Sequence, residues 1–133
     1  MSERQNGQGL LQGYRVLDVT NEAGLLCGKI LGDFGADVIK IEKPGGDPAR
    51  NIGPFYKDIP HPEKSLFWFF TNLNKRSITL SIETADGRDI FKRLVKAADF
   101  VVESFEPGYM ASLGLAYDDL SQVKPDIIMT SIT

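Results

Sequence analysis

A single segment, residues 31–48, constrains the fold of this chain more than any other. Gly32 and Gly35 can adopt the left-handed backbone conformation that ends a helix. The largely β-branched run at 38–41 then predicts a short strand that is covered on both faces. A stretch rich in glycine and proline follows at 44–48 and can continue neither a helix nor a strand. The segment therefore predicts a helix end, a buried strand and a loop, in that order.

Charged residues cluster where this predicted strand ends. Lys40, Glu42 and Lys43 all lie at or near its carboxyl end. Open α/β sheets bind their ligands at the carboxyl ends of the strands, in the crevice where the strand order reverses. We therefore expect a ligand site close to this strand.

The remaining elements extend this pattern along the chain. We predict strands at 14–19, 37–42, 78–82, 100–104 and 127–132. A helix joins the first two strands, Thr84 caps a second helix, and shorter helical turns occupy 109–113 and 117–123. A strand, a helix and a strand within about 30 residues form a βαβ unit with parallel strands. The fold class is therefore α/β, with a Rossmann-like, doubly wound parallel sheet.

Apolar spacing predicts which faces of the two longer helices are buried. In the first helix the predicted stripe is Cys27, Ile30, Leu31 and Phe34. In the second helix it is Ile90, Phe91, Leu94, Val95 and Ala98.

The middle of the chain is a long loop followed by its most apolar run. Residues 43–65 hold most of the prolines and show no periodicity, which predicts a functional loop or one that covers another domain. The aromatic run at 66–70 is predicted to be core or buried interface rather than a ligand-binding box.

Composition excludes several classes of partner. The net charge of −3 gives no overall attraction to nucleic acid or to an anionic membrane, so an anion site must come from local lysine and arginine side chains. The single cysteine, Cys27, rules out an internal disulfide and suits a reducing compartment. Residues 1–13 are polar and resemble a disordered tail rather than a signal peptide. We therefore expect a cytoplasmic protein whose domain spans 14–133.

Residue spacing alone leaves three functional classes open. A nicotinamide-binding Rossmann domain would place Glu42 on a ribose, but the first turn, at 20–24, has one glycine where the dinucleotide fingerprint needs three. Glu42 is then better explained as a solvated or ion-paired strand end. His61 stands alone and does not predict a metal site, and Cys27 is predicted to be a core residue rather than a nucleophile. A ligand-binding enzyme domain and a non-catalytic α/β interaction module both remain possible.

Four motifs, in order, bear a family resemblance. They are Tyr-Arg-Val-Leu-Asp-Val-Thr at 14–20, Leu-Gly-Asp-Phe-Gly-Ala-Asp-Val-Ile-Lys-Ile-Glu-Lys-Pro-Gly-Gly-Asp-Pro-Ala-Arg at 31–50, Asn-Lys-Arg-Ser-Ile-Thr-Leu at 74–80 and Val-Val-Glu-Ser-Phe-Glu-Pro-Gly at 101–108. Together they closely resemble the amino-terminal part of the class III (CaiB/BaiF-type) CoA-transferases, a family that also includes α-methylacyl-CoA racemase. The resemblance implies a partial large domain of such an enzyme, from a full-length protein that forms an interlocked homodimer.

The resemblance also implies coenzyme A as the ligand, with no metal. The contacts that it implies lie at the carboxyl ends of the predicted strands. They are Ala23, Lys43, Leu80, Ser81, Ile82, Glu83, Ser104, Phe105 and Glu106. Three positions depart from the family pattern: Glu22 replaces a neutral amide, Ser104 stands where asparagine is usual, and Ser112 stands where an arginine contact is expected.

The reaction implied is the transfer of CoA between an acyl-CoA and a carboxylic acid. Transferases of this family use an aspartate nucleophile, which the resemblance places beyond Thr133. Racemase relatives use acid–base residues that also fall outside this stretch. We therefore assign no catalytic residue within the chain and expect the 133-residue chain by itself to be inactive.

Overall fold

The computed structural model describes residues 9–133, which form alternating strands and helices. In chain order the main elements are β1 (Arg15–Asp18), α1 (Leu25–Asp33), β2 (Asp37–Glu42), α2 (Leu66–Asn72), β3 (Arg76–Thr79), α3 (Ala85–Lys96), β4 (Phe100–Glu103), α4 (Tyr109–Ser112), α5 (Tyr117–Val123) and β5 (Ile128–Ser131). The long loop between β2 and α2 contains two short 3-10 helices, Pro48–Asn51 and Tyr56–Asp58.

The five strands form one parallel sheet in the order β3-β2-β1-β4-β5. The chain first builds outward from β1 through β2 to β3, and then crosses back to β4 and β5 on the other side. The strand order therefore reverses between β1 and β4, which is the position where doubly wound sheets bind ligands. The predicted fold class is confirmed.

Alternation along the strands gives the sheet two different faces. One, which we call the α3 face, is apolar and packs against α3 and α5. Its buried side chains include Leu17, Ile39, Val101, Phe91 and Val95. The other, the α1 face, carries a smaller apolar cluster of Val16, Ala36, Val38 and Val102, with Cys27 and Leu31 packed against it. Toward the carboxyl ends of β1 and β2 this face becomes charged, because Asp18 pairs directly with Lys40 in the strand register.

Helix α1 is rotated relative to the stripe that its sequence predicts. Ile30 and Phe34 are 45% and 48% exposed, whereas Leu25 and Gly28 are buried. Gly28 lies against the buried side chains of Asp18 and Lys75, so the helix turns its small side toward the sheet. The predicted stripe was therefore wrong for Ile30 and Phe34, since it took no account of polar groups beneath the helix.

The aromatic run at 66–70 forms α2 but supplies only one buried side chain. Trp68 is buried and carries the Arg50 guanidinium 4.3 Å from its ring centroid. Leu66, Phe69 and Phe70 are exposed, the last by 60%. The prediction that this run is core or buried interface is therefore confirmed as core for Trp68. Leu66, Phe69 and Phe70 are not core side chains within residues 9–133, and a buried interface at these three stays a prediction.

The other predicted elements need smaller corrections. Strand β3 starts at Arg76 rather than Ile78, so residues 80–83 form the loop at its carboxyl end. Thr84 caps α3 as predicted, because its hydroxyl accepts a hydrogen bond of 3.0 Å from the Gly87 amide. In the predicted stripe of α3, Phe91, Val95 and Ala98 are buried, but Ile90 is 41% exposed.

Residues 9–13, at the end of the segment predicted to be a tail, form a turn that packs on the end of α1. The Leu11 amide donates a 2.8 Å hydrogen bond to the Phe34 carbonyl. The rest of that segment, 1–8, lies outside the described residues. Over 9–133, no helix is long and apolar enough to cross a membrane.

Candidate functional site

A pocket of about 630 Å³ opens at the carboxyl ends of the strands, beside the point where the strand order reverses. The loops after β1, β2, β3 and β4 and the start of α4 enclose it. Its lining residues are Val19, Thr20, Asn21, Glu22, Ile41, Lys43, Pro44, Asp47, Pro48, Leu80, Ser81, Ile82, Glu83, Phe105 and Tyr109.

The turn after β1 forms the first wall and is held by its own hydrogen bonds. The Asp18 carboxylate is fully buried, and one of its oxygens accepts hydrogen bonds from the Thr20 amide at 2.9 Å and the Thr20 hydroxyl at 2.6 Å. The Asn21 amide donates to the Ser104 hydroxyl at 2.9 Å, and that hydroxyl donates to the Asn21 side-chain oxygen at 2.7 Å. The turn is therefore tied both to its own strand and to the end of β4.

The loop after β2 forms the second wall and depends on ion pairs. Glu42 is buried and pairs with Arg50, whose Nη2 donates to Glu42 Oε2 at 3.0 Å. The Asp47 amide donates to the other Glu42 oxygen at 2.7 Å. Burial alone would raise the pKa of Glu42, but the hydrogen bonds from Arg50 and from the Asp47 amide outweigh it and hold the pKa below its ordinary value.

The third wall combines the loop after β3 with the aromatic start of α4. Gly87, in the first turn of α3, lies so close to the Ser81 carbonyl that a Cβ atom there would overlap its oxygen. The phenol of Tyr109 donates a 2.8 Å hydrogen bond to Glu83, and the ring packs 4.7 Å from Phe105 between centroids. Burial, and then this contact with Glu83, raise the pKa of Tyr109.

A buried pair of charges lies between α1 and β1 behind the first wall. Lys75 Nζ donates to Asp18 Oδ2 at 2.7 Å and to the Leu25 carbonyl at 2.8 Å. Burial lowers the pKa of Lys75, and the neighbouring Asp18 carboxylate opposes that effect. Burial also raises the pKa of the nearby Cys27 thiol, and Asp18 adds to the rise. A thiol held protonated in this way is a poor nucleophile, in line with its predicted core role.

The structure brings most of the predicted site residues to one pocket. Those that line it are Lys43, Leu80, Ser81, Ile82, Glu83 and Phe105. Ala23, Ser104 and Glu106 do not: Ala23 is exposed outside the pocket, and Ser104 is buried behind Asn21. Glu106 instead lines a second cavity, of about 280 Å³, between β4, α4 and β5.

Several lining residues were not singled out from the sequence. Asn21, Pro44, Asp47 and Tyr109 belong to this group. The first three follow the ends of the first two strands closely, and this position in the sequence could have predicted that they line the pocket. Tyr109 gave no such signal, because it reaches the pocket only through the packing of α4.

The pocket surface is partly apolar and carries charges of both signs. Among the lining residues that belong to the described part of the chain, 9–133, Lys43 is the only cation, and it is exposed at the rim. Glu22 and Glu83 are exposed acids, while Asp47 is buried near Lys40. Leu80, Ile82 and Phe105 supply apolar surface. Such a surface suits an extended ligand with an anionic end and an apolar or aromatic body.

No group of three or more potential metal ligands occurs within residues 9–133. His61 lies exposed in the long loop, where its Nδ1 accepts a 3.0 Å hydrogen bond from the Glu63 amide. Lys40, predicted to add charge at the carboxyl end of β2, is buried instead of facing the pocket.

Comparison with known proteins identifies relatives along nearly the whole chain. The model of CoA-transferase family III matches residues 11–133. The chain is 40% identical over 120 residues to the BbsE subunit of succinyl-CoA:(R)-benzylsuccinate CoA-transferase from Thauera aromatica, covering 90% of this chain and 29% of the relative. It is 41% identical over 124 residues to an Escherichia coli formyl-CoA:oxalate CoA-transferase, covering 92% and 29% respectively. The chain thus spans under a third of the length of either relative.

Solved structures agree with these relationships. A hypothetical protein of Mycobacterium tuberculosis superposes with a TM-score of 0.85 at 39% identity, over 96% of this chain and 34% of that one. A CaiB/BaiF family protein from Brucella suis superposes with a TM-score of 0.84 at 37% identity, over 96% and 34%. A short-chain dehydrogenase/reductase family protein matches at a TM-score of 0.51 and 14% identity, a likeness of fold alone. The sequence and the structure together show that this chain belongs to CoA-transferase family III.

Proposed function

We propose that this chain forms the CoA-binding part of an enzyme that moves CoA between an acyl-CoA and a carboxylic acid. The observation that carries the proposal is the convergence of Lys43, residues 80–83 and Phe105 on one pocket at the carboxyl ends of the strands. Those residues come from three separate loops, and the family resemblance had implied each of them as a CoA contact. The named activities of the two curated relatives, both CoA-transferases, support the same reaction class.

The chemistry of the pocket matches the parts of CoA. The ammonium of Lys43 suits a phosphate at the rim, where nearby solvent still hydrates both groups. Leu80, Ile82 and Phe105 offer apolar surface to the pantetheine arm or the adenine ring. In this proposal Ser104 acts indirectly, because its hydroxyl holds Asn21 at the pocket wall. Ala23 and Glu106 would have to contact CoA outside the pocket itself.

The covalent chemistry is assigned to residues outside this chain. The family resemblance implies an aspartate beyond Thr133 that attacks the acyl-CoA carbonyl, forms a mixed anhydride and releases the CoA thiolate. We propose that the full-length enzyme works as a cytoplasmic homodimer and that the chain alone does not turn over acyl-CoA. Racemase chemistry within the same family is the alternative, and acid–base residues would then replace the nucleophile.

A nicotinamide function is less well supported. The dinucleotide fold would require Glu42 to accept hydrogen bonds from a ribose. Here Glu42 is buried and accepts from Arg50 and from the Asp47 amide instead. Its role as an ion-paired strand end leaves no free carboxylate for a ribose.

The test is a CoA titration of the full-length protein carrying Lys43→Glu. We expect CoA to bind about fivefold more weakly or worse, because one exposed charge–phosphate attraction becomes a repulsion. The matched control is Lys57→Glu, which reverses an exposed lysine in the same long loop but outside the pocket lining. Unchanged CoA affinity in the Lys43→Glu protein would show that Lys43 does not contact CoA. Equal losses of affinity in both variants would show that the change in net charge, and not the position of Lys43, weakens binding.

A further inference from the structure

Lys40 is a buried cation whose role is not explained by direct ligand contact. Its side chain is 1% exposed, and it does not line the pocket. It lies on the α1 face of β2, where its register partner on β1 is Asp18. A buried ammonium is costly unless several oxygens surround it, so its partners indicate what it holds together.

Three oxygens surround the Lys40 ammonium, and they come from both sides of the pocket. Nζ donates to the Thr20 carbonyl. It lies 3.7 Å from Asp18 Oδ1 and 3.6 Å from Asp47 Oδ2. Thr20 begins the turn that forms the first wall, and Asp47 lies in the loop that forms the second. One ammonium therefore joins the two loops.

We infer that Lys40 is a positioning residue that fixes the spacing between these two loops and thereby sets the affinity of the pocket for CoA. The inference rests on the proposed CoA-binding function. Asp47 transmits the effect to the second wall: its Oδ1 accepts a 2.8 Å hydrogen bond from the Ala49 amide, and its own amide donates to Glu42. On the other side, Lys40 positions the first wall directly, because its ammonium donates to the Thr20 carbonyl.

The balance of buried charges allows folding to be separated from positioning. Asp18 and Asp47 supply two negative charges, while Lys40 and Lys75 supply two positive ones. Lys40→Met or Asp47→Asn alone leaves one buried charge uncompensated, which destabilises a protein strongly. The double variant Lys40→Met/Asp47→Asn leaves the Asp18–Lys75 pair balanced, and asparagine can still accept the hydrogen bond from the Ala49 amide.

The experiment compares thermal stability and CoA affinity in the full-length protein for the wild type, both single variants and the double variant. We expect both single variants to melt at lower temperature and the double variant to recover most of the loss. The double variant should nevertheless bind CoA about tenfold more weakly, a change equal to losing one charge-assisted hydrogen bond. The matched control, Lys29→Met/Asp33→Asn, removes an ion pair of 2.7 Å on α1 and should leave CoA affinity unchanged.

Each other outcome counts against the inference in a distinct way. Recovery of CoA affinity together with stability in the double variant would make Lys40 a structural residue only. A double variant that failed to fold would do the same, since charge balance would not have replaced the lysine. A wild-type protein without measurable CoA binding would overturn the proposed function, and the role of Lys40 with it.

Discussion

The two faces of the sheet carry different kinds of buried side chain, although the same strands form both. The α3 face has an apolar centre, formed by Leu17 and Ile39 in the sheet and by Phe91 and Val95 on α3. The α1 face starts apolar, with Val16 and Val38, and continues toward the pocket with buried charges. Apolar contacts are non-directional and stabilise the sheet as a whole, whereas ion pairs and hydrogen bonds fix particular atoms. Both faces therefore contribute to stability, but the ion pairs that hold the loops at the pocket lie on the α1 face.

The largest effect on stability should follow from removing a large side chain from the apolar core on the α3 face. Phe91 is fully buried, so Phe91→Ala is expected to lower the free energy of unfolding by about 4 kcal/mol, through lost apolar contact and a cavity. The adjacent Ile90 is 41% exposed, and Ile90→Ala should cost about 1 kcal/mol or less. Chemical denaturation of the two variants tests the contrast. Equal losses in the free energy of unfolding would contradict the observed orientation of α3. The CoA affinity of a variant that stays folded should change little.

A smaller effect is expected from crowding the charged face. A Cβ atom on Gly28 would overlap Asp18 Oδ2 and lie 3.1 Å from Lys75 Nζ. We expect Gly28→Ala to cost about 2 kcal/mol, because the carboxylate that must move is buried and already hydrogen-bonded.

The control for this substitution lies one turn further along the same helix. The three atoms nearest to the Cβ atom of Gly32→Ala all belong to the side-chain amide of Asn74. That amide is exposed and can move, because water can replace its hydrogen bonds to the Lys29 carbonyl and Asp33. Alanine is also the better helix former by about 1 kcal/mol, so Gly32→Ala should be neutral or slightly stabilising. A Gly28→Ala protein as stable as the Gly32→Ala protein would show that the Asp18–Lys75 pair does not pack against α1.

The smallest effect should be pH-dependent and concern the Glu42–Arg50 pair. The folded pKa of Glu42 lies below its ordinary value of about 4.3, so the pair contributes stability above that pH and loses it as the pH falls through the lowered pKa. We expect Arg50→Met to cost about 1.5 kcal/mol at neutral pH, between the values for exposed and fully buried pairs. The difference from wild type should shrink on acidification below about pH 4. A stability difference that stayed constant with pH would show that Arg50 does not stabilise the protein through the Glu42 carboxylate.

Local sequence signals predicted the parts of the fold that depend on neighbours along the chain. The buried strand at 37–42 and the Thr84 cap of α3 have the predicted limits and contacts. Lys43 follows the end of β2, so its place near the site could be predicted from order alone, whereas residues 80–83 were implied only by the family resemblance.

Features that depend on distant contacts were not predictable in the same way. Lys40 is charged in sequence and buried in the structure, because Asp18 and Asp47 approach it only once β1, β2 and the following loop are assembled. The rotation of α1 depends on Lys75, which follows α2 and inserts beneath Gly28. Apolar periodicity shows which side chains of a helix are hydrophobic, but it does not predict polar groups from other elements that pack beneath the helix.

Isothermal titration calorimetry of the full-length wild-type protein with CoA and, separately, with NAD tests most directly whether the pocket binds CoA. We expect saturable binding of CoA and no binding of NAD, because the pocket offers Lys43 and apolar loops while Glu42 is held by Arg50. Saturable binding of NAD without binding of CoA would contradict the proposed CoA-binding function and favour a nicotinamide-binding domain instead.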